Sequence, residues 1–312
     1  MMQQRALGAS GLTITPLVLG GNVFGFTADR AASFAVLDAF VDRGGTMIDT
    51  ADVYSAWVPG HVGGESETMI GEWLRASGKR DQVLIATKVG MMPGGLKPDV
   101  IERAVEGSLR RLGTDRIDLY FAHKDDADTP LDDVLAAFAR LLDAGKIRSI
   151  GASNYSAMRL KAALDASKAA DLPHYTVLQP EYNLVSRHGF EGELQDLAIT
   201  HNIGVVPYYG LASGFLTGKY RSRDDLGKSV RGDTVAKYLD GKGPEVLAEM
   251  DRIASETGAT HAQIALAWLA AQDGVTAPIA SATSVAQMEE LMGFLDVGLT
   301  RDQLDRLTMT GA

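Results

Sequence analysis

The 312-residue sequence contains no cysteine. A disulfide framework, a thiolate nucleophile and a Cys-ligated zinc or iron–sulfur centre are thereby excluded, no metal site is expected, and a reducing cytoplasm is the expected setting. Any redox chemistry must use a borrowed cofactor. Basic residues are in deficit: 30 Lys and Arg stand against 40 Asp and Glu, a formal net charge of −10. A broad nucleic-acid or anionic-membrane surface would be approached against a repulsive field, so neither partner is expected, and an anionic ligand must be held locally. No apolar run reaches the length of a membrane span, and Met1–Thr13 lacks the long apolar core of a secretory signal. The reading is a soluble chain without a targeting segment. No linker-like stretch divides it, so a single domain over residues 1–312 is expected. A homo-oligomer is compatible with the sequence but not indicated by it.

What the chain does contain is a repeating alternation of short β-branched, apolar runs and longer stretches of helical period. Candidate strands are 16–19, 46–49, 83–88, 117–123, 147–153, 177–181, 204–208 and 276–280. Amphipathic segments lie at 31–43, 65–76, 98–112, 131–144, 157–169, 191–200, 261–272 and 285–295. In the third of these, Val100, Ala104, Leu109 and Leu112 are read as the apolar face. Gly78, Gly113, Gly145 and Gly274 stand just past helical runs, where a left-handed terminating residue is wanted. Eight strands alternating with eight helices is the count of a closed (β/α)8 TIM barrel, and a doubly wound open sheet fits the same alternation. Residues 5–15 read as a hairpin capping the N-terminal face of the barrel. Residues 220–243, polar and Gly-rich, read as a functional or partly disordered loop.

Asp49, Lys88, His123, Asn154 and Gln179 each stand at or just past the C-terminal end of a candidate strand. In a barrel these positions converge on one face. Taken singly, each has an ordinary explanation: Asp49 as a turn cap, Lys88 emerging into solvent, His123 as a hydrogen-bonded core histidine. With Tyr54 they describe one reaction. Hydride reduction of a carbonyl leaves an alkoxide that must be protonated and stabilised. A free tyrosine is a poor acid at neutral pH, and Lys88 beside it is expected to favour the phenolate and bring it into the working range. Asp49 would keep Lys88 charged despite burial, and a neutral His123 would orient the carbonyl. A Schiff base on Lys88, as a lyase requires, is the competing chemistry on the same barrel.

The segments Ile48-Asp49-Thr50-Ala51-Asp52-Val53-Tyr54, Gly64-Glu65-Ser66-Glu67, Ala86-Thr87-Lys88, Gly145 through Asn154, and Gln179-Pro180-Glu181-Tyr182-Asn183 together resemble the aldo-keto reductase superfamily along almost the whole chain. The resemblance implies a catalytic tetrad of Asp49, Tyr54, Lys88 and His123, with Tyr54 as general acid/base. It implies NADP(H) as cofactor ahead of NAD(H), with Ser153, Asn154 and Gln179 on the nicotinamide carboxamide and Tyr208 stacked on the ring. Gly210, Leu211, Ser213, Gly214, Leu216 and Lys219 match the pyrophosphate loop, and Ser281, Thr283, Gln287 and Glu290 the adenosine-phosphate site. Gln287 stands where many members carry arginine, and Leu291 where asparagine is usual. Phe24, Trp57 and Tyr209 are candidate substrate contacts for a small carbonyl or alcohol. The long loop 55–64 resembles that of bacterial members acting on ketones or sugar-like rings. Some members are nicotinamide-binding accessory subunits with little turnover, which the same motifs allow.

Overall fold

A computed structural model describes residues 4–228 and 232–311. Two short antiparallel strands, β1 (Arg5–Ala6) and β2 (Thr13–Ile14), precede eight parallel ones: β3 (Val18–Gly20), β4 (Met47–Asp49), β5 (Leu84–Val89), β6 (Leu119–Ala122), β7 (Ile150–Ser153), β8 (Val177–Gln179), β9 (Gly204–Val205) and β10 (Ile279–Ala280). Every candidate strand is present, most of them shorter than read. Chain neighbours pair from β3 to β9, and β10 pairs with β3. The remaining gap is closed by Thr276 N–H donating to Val205 O at 2.8 Å and Ile279 N–H to Pro207 O at 2.9 Å. The sheet therefore rolls up as a (β/α)8 barrel, which decides against the open doubly wound sheet.

Strand alternation builds the barrel in two apolar shells. Val18, Met47, Ala86, Leu119, Phe121, Val177 and Val206 face inward and join Leu7, Leu12 and Ile14 of the hairpin in one cluster. Ile48, Ile85, Tyr120, Ala122, Ile150 and Leu178 face outward and pack under the helices. The hairpin thus plugs the end opposite to the strand C-termini. Gly8 makes the closest approach: its φ is +54°, and a Cβ would sit 2.1 Å from Gly204 N and 2.6 Å from Asn202 O.

Helices α1 (Arg30–Asp42), α2 (Glu65–Ser77), α3 (Pro98–Leu112), α4 (Leu131–Asp143), α5 (Ala157–Ala170) and α6 (Glu193–Thr200) follow β3 to β8 in turn. Gly78 and Gly113 end α2 and α3 with φ of 67° and 65°, as their left-handed role requires. The inward face of α3 is Ile101, Val105, Leu109 and Leu112, rotated one position from the Val100/Ala104 reading.

Segment 220–243, read as a functional or partly disordered loop, contains regular structure, and residues 229–231 of it lie outside the described residues. It holds a 3₁₀ turn at Arg223–Lys228 and helix α7 (Gly232–Leu239). Val235 is fully buried and Tyr238 lies 5.5 Å ring to ring from buried Phe215, so α7 backs the glycine loop. Helices α8 (Gly243–Thr257), α9 (His261–Ala270), α10 (Val285–Met292) and α11 (Arg301–Gly311) complete the chain. Among the described residues no helix is long and apolar enough to cross a membrane.

Replacing Gly8 by alanine should lower stability by about 2 kcal/mol or more, because the new Cβ meets backbone rather than a movable side chain. Urea unfolding of the two proteins measures this, and equal midpoints would show that the hairpin is not seated on the barrel floor.

Candidate active site

The alternation that fills the barrel also sets its top layer. Met47 and Ala86 point inward, so Asp49 and Lys88, two residues on, do the same at the strand ends. Gln179 and Ser153 follow on β8 and β7, paired in register with each other. His123 lies just past β6, two residues after inward-facing Phe121. One face of the barrel thus collects five polar side chains that the sequence scatters over 130 residues, the separation of Asp49 and Gln179.

Lys88 is the hub. Its side chain is fully buried, and Nζ donates to Asp49 Oδ2 at 2.6 Å, Thr50 O at 2.7 Å and Tyr54 Oη at 2.9 Å. Tyr54 Oη in turn lies 3.3 Å from Asp49 Oδ2, and Gln179 Nε2 donates to Asp49 Oδ1 at 2.9 Å. Thr50 is pinned by its hydroxyl contact with Ser66 at 2.8 Å, and Ser66 donates to Gly21 O at 2.7 Å. Tyr54 sits on the turn after β4, half-buried, with its ring 6.0 Å from that of His123.

Burial pushes Lys88 below the usual lysine range, and the Asp49 carboxylate opposes that shift. Burial also raises Tyr54 well above the ordinary phenol range, and Asp49 adds to the rise. Lys88 Nζ does stand on Tyr54 Oη as expected, but the direction is opposite to the expected draw toward ionisation, with burial first and the facing carboxylate second, so Tyr54 rests as a protonated phenol. His123 is pushed well below the ordinary histidine range, by burial first and Lys88 second. It is a neutral imidazole whose Nδ1 is buried without a partner, which leaves Nε2 for the open side.

The residues tied by resemblance to a nicotinamide are contiguous with this group. Asn154, at φ +57°, donates to His123 O at 2.9 Å and accepts from Tyr208 Oη at 2.8 Å. Ser153 Oγ donates to Gln179 O at 2.9 Å. Past Gly210, which is buried against Leu269, the residues Ala212, Ser213 and Gly214 are consecutively left-handed. A Cβ on Gly214 would stand 3.4 Å from Lys219 Nζ, and Lys219 has no carboxylate partner among the described residues. Leu211 is half-buried and Leu216 fully buried, so Leu216 could meet a ligand only through its backbone. Small residues, left-handed backbone and an ammonium that lies 5.1 Å from the Tyr220 ring centre with no carboxylate on it among the described residues make a cradle that fits a diphosphate.

At the last strand, Ser281 Oγ donates to Asn22 Oδ1 at 2.7 Å. Ser284 caps α10, and Gln287 Oε1 accepts from Thr283 N–H at 2.9 Å and Thr283 Oγ1 at 3.0 Å. Glu290, one turn on, accepts from Gln263 Nε2 through its carbonyl at 3.0 Å. The helix end and hydroxyls fit a phosphate, with neutral donors where an arginine would bring charge.

Trp57 and Tyr209 are exposed at this end, 53% and 43%, and Trp57 lies 6.1 Å ring to ring from Tyr54. Phe24 does not join them. Its side chain is fully buried in the outer core, next to Gly21, and its neighbour Phe26 stands 6.2 Å from Trp57 instead. Nothing in the local pattern separates the two phenylalanines, because the chain turns sharply at Gly25 between them. Asn183, which fixes the backbone of Tyr209 by donating to its carbonyl at 3.0 Å, was likewise not singled out for this face.

Residues 16–310 match the aldo/keto reductase family. The chain is 34% identical to a probable voltage-gated potassium channel subunit beta of Oryza sativa subsp. japonica, over 98% of this chain and 95% of that protein. It is 33% identical to an NADP(+)-designated aldo-keto reductase of Schizosaccharomyces pombe, over 91% and 86%. It is 32% identical to the L-glyceraldehyde 3-phosphate reductase of Escherichia coli strain K12, over 93% and 86%. With a match over nearly its full length, the chain belongs to the aldo/keto reductase family of oxidoreductases.

Proposed function

We propose that this protein, as a single domain, catalyses the NADPH-dependent reduction of an aldehyde or ketone to the alcohol, or the reverse oxidation, in the cytoplasm. The observation that carries the reading is the threefold bonding of buried Lys88 to Asp49, Thr50 and Tyr54. Ser153, Asn154, Gln179 and Tyr208 would hold a nicotinamide, whose chemistry when bound would be hydride donation. His123 donates from Nε2 to the carbonyl oxygen and orients it. Tyr54 gives its proton to the same oxygen, and the phenolate left behind is held by the Lys88 ammonium. Lys88 thus acts on the phenolate formed by transfer, not by ionising the resting phenol. Asp49 keeps the ammonium in place. Phe26, Trp57 and Tyr209 give the mouth an apolar rim for substrate.

A Schiff base on Lys88 fits poorly. All three of its protons have acceptors and its side chain is closed to solvent, so no lone pair is presented to a substrate carbonyl. The likeness to a channel subunit favours one second reading, a nicotinamide-binding subunit with little turnover. Fluorescence titration with NADPH and NADH, followed by an absorbance assay on aldehydes, ring ketones and quinones, separates the two. Tight NADPH binding with turnover supports the reductase, and tight binding with none across the panel supports the subunit.

Tyr54→Phe should lower turnover about 10²- to 10⁴-fold with nucleotide affinity unchanged, and full activity in this variant would remove Tyr54 from the mechanism. Lys88→Met leaves the Asp49 carboxylate buried and unpaired, so it should cost about 3–5 kcal/mol in stability. Adding Asp49→Asn should recover most of that loss in denaturant melts while turnover stays low. Recovery of activity along with stability would show that the pair serves only the fold.

A further inference from the structure

A second buried polar group lies behind the barrel wall, across β5 from Lys88. Thr87 and Tyr120 are paired neighbours on β5 and β6, facing outward where Lys88 and Phe121 face in. Glu67 of α2 is fully buried against them. Its Oε1 accepts from Thr87 Oγ1 at 2.6 Å and its Oε2 from Arg111 Nε at 2.7 Å. Asp52 comes into the same space from the turn that carries Tyr54, its backbone N–H 3.3 Å from Lys88 O. Asp52 is 7% exposed, and its Oδ1 has no donor among the described residues. The hydroxyl of fully buried Tyr120 has no partner among them either. The Arg111 guanidinium is therefore bonded to Glu67, and Glu67, Thr87 and Arg111 satisfy one another without Asp52.

We propose that Asp52 is a protonatable positioning residue for the proton donor, whose ionisation changes the charge behind Lys88 and through it the state of Tyr54. This rests on the reductase reading of the site. The charges that act on Asp52 are those of Glu67 from α2, Arg111 from α3 and Lys88 from β5, and Asp52 in turn acts on Tyr120 of β6. Burial first, and Glu67 second, push Asp52 up to about 7, against Arg111, the Val53 backbone N–H and Lys88. When Asp52 is neutral, the ammonium has one fewer negative charge to answer. When it ionises, the added charge strengthens Lys88's hold on its proton and weakens its support of a Tyr54 phenolate. His123 is pushed too low to produce a transition at that pH.

The test reads Tyr54 directly. Full-length protein carrying ¹³Cζ-tyrosine is titrated without nucleotide from about pH 5 to about pH 9, with the Tyr54 resonance assigned by its loss in Tyr54→Phe. The expected result is a shift of that resonance with a midpoint at about 7. It should vanish in Asp52→Asn and move to lower pH in Glu67→Gln, which removes the neighbouring negative charge. A flat parent titration, or one that neither variant alters, overturns the proposal, and Glu67→Gln decides if Asp52→Asn does not fold. In the enzyme assay, Asp52→Asn should remove the matching inflection from the kcat–pH profile, whereas a merely structural role would lower turnover equally at every pH. Complete lack of turnover in the parent would sink the reductase reading, and the resonance would still decide the role of Asp52.

Discussion

The ion pair of Lys88 and Asp49 is the constraint around which the top of the barrel is organised. A lysine with no exposed side-chain surface keeps its charge only if each of its protons finds an acceptor, and here the acceptors are a carboxylate, a main-chain carbonyl and a phenol. Desolvation of the two ions costs several kcal/mol each, and their attraction offsets this only with good geometry and further hydrogen bonds. Gln179 on Asp49 Oδ1, and Ser66 behind Thr50, supply that second layer. The pair is thus weak evidence for stability, and the arrangement of the β4 turn that completes it also brings Tyr54 onto Lys88.

The same logic explains why the site spans so many strands. Parallel strands with period-two alternation give each strand end one inward position, and a closed sheet makes those positions neighbours. Gly151 shows how tightly the layer below is filled. Its Cα faces the ring of Phe121, where a Cβ would lie 2.4 Å from the nearest ring atom. A floor this dense lets the polar layer above it rest on Phe121 and the aliphatic side chains around it, and small shifts of the floor would be felt at Lys88.

The parts of this architecture legible from sequence were those governed by a short-range rule. Alternation exposed all eight strands, and strand-end position singled out Asp49, Lys88, His123, Asn154 and Gln179 before any geometry was known. The tyrosine's protonation was misjudged because a nearby ammonium is visible in the sequence whereas the depth of burial is not. Helix α8 went unread although Val246, Leu247, Met250 and Ile253 carry a helical period, because counting one helix per strand left no place for it. Helix α11 has fewer signals: only Gln303 and Leu307 are buried, and it is held by that leucine, by Trp268 Nε1 donating to Thr308 Oγ1 at 2.9 Å and by exposed ion pairs such as Arg306 with Glu256 at 2.7 Å. Phe24 and Phe26 were separable only by the left-handed turn at Gly25. The cluster of Asp52, Glu67 and Arg111 was invisible for a different reason, since charged residues on a turn and two helices read as solvated surface.

Net charge sets the terms on which this protein can hold a dinucleotide. With −10 overall, attraction must be local, and the fold offers different means at the two ends of the ligand. At the glycine loop after β9, three left-handed residues leave room beside the Lys219 ammonium, which no carboxylate claims among the described residues. At the N-terminus of α10 the donors are hydroxyls and a helix dipole, and Gln287 is turned back on Thr283. A helix end contributes about 0.3–1 kcal/mol toward an anion, while a hydrogen bond to a charged partner contributes about 1.5–3 kcal/mol. On the proposed reading, the first end supplies most of the affinity and the second only a modest preference for the 2′-phosphate. Discrimination between NADPH and NADH should then be small beside that of a site with an arginine in place of Gln287, because the charge that would enforce it is missing.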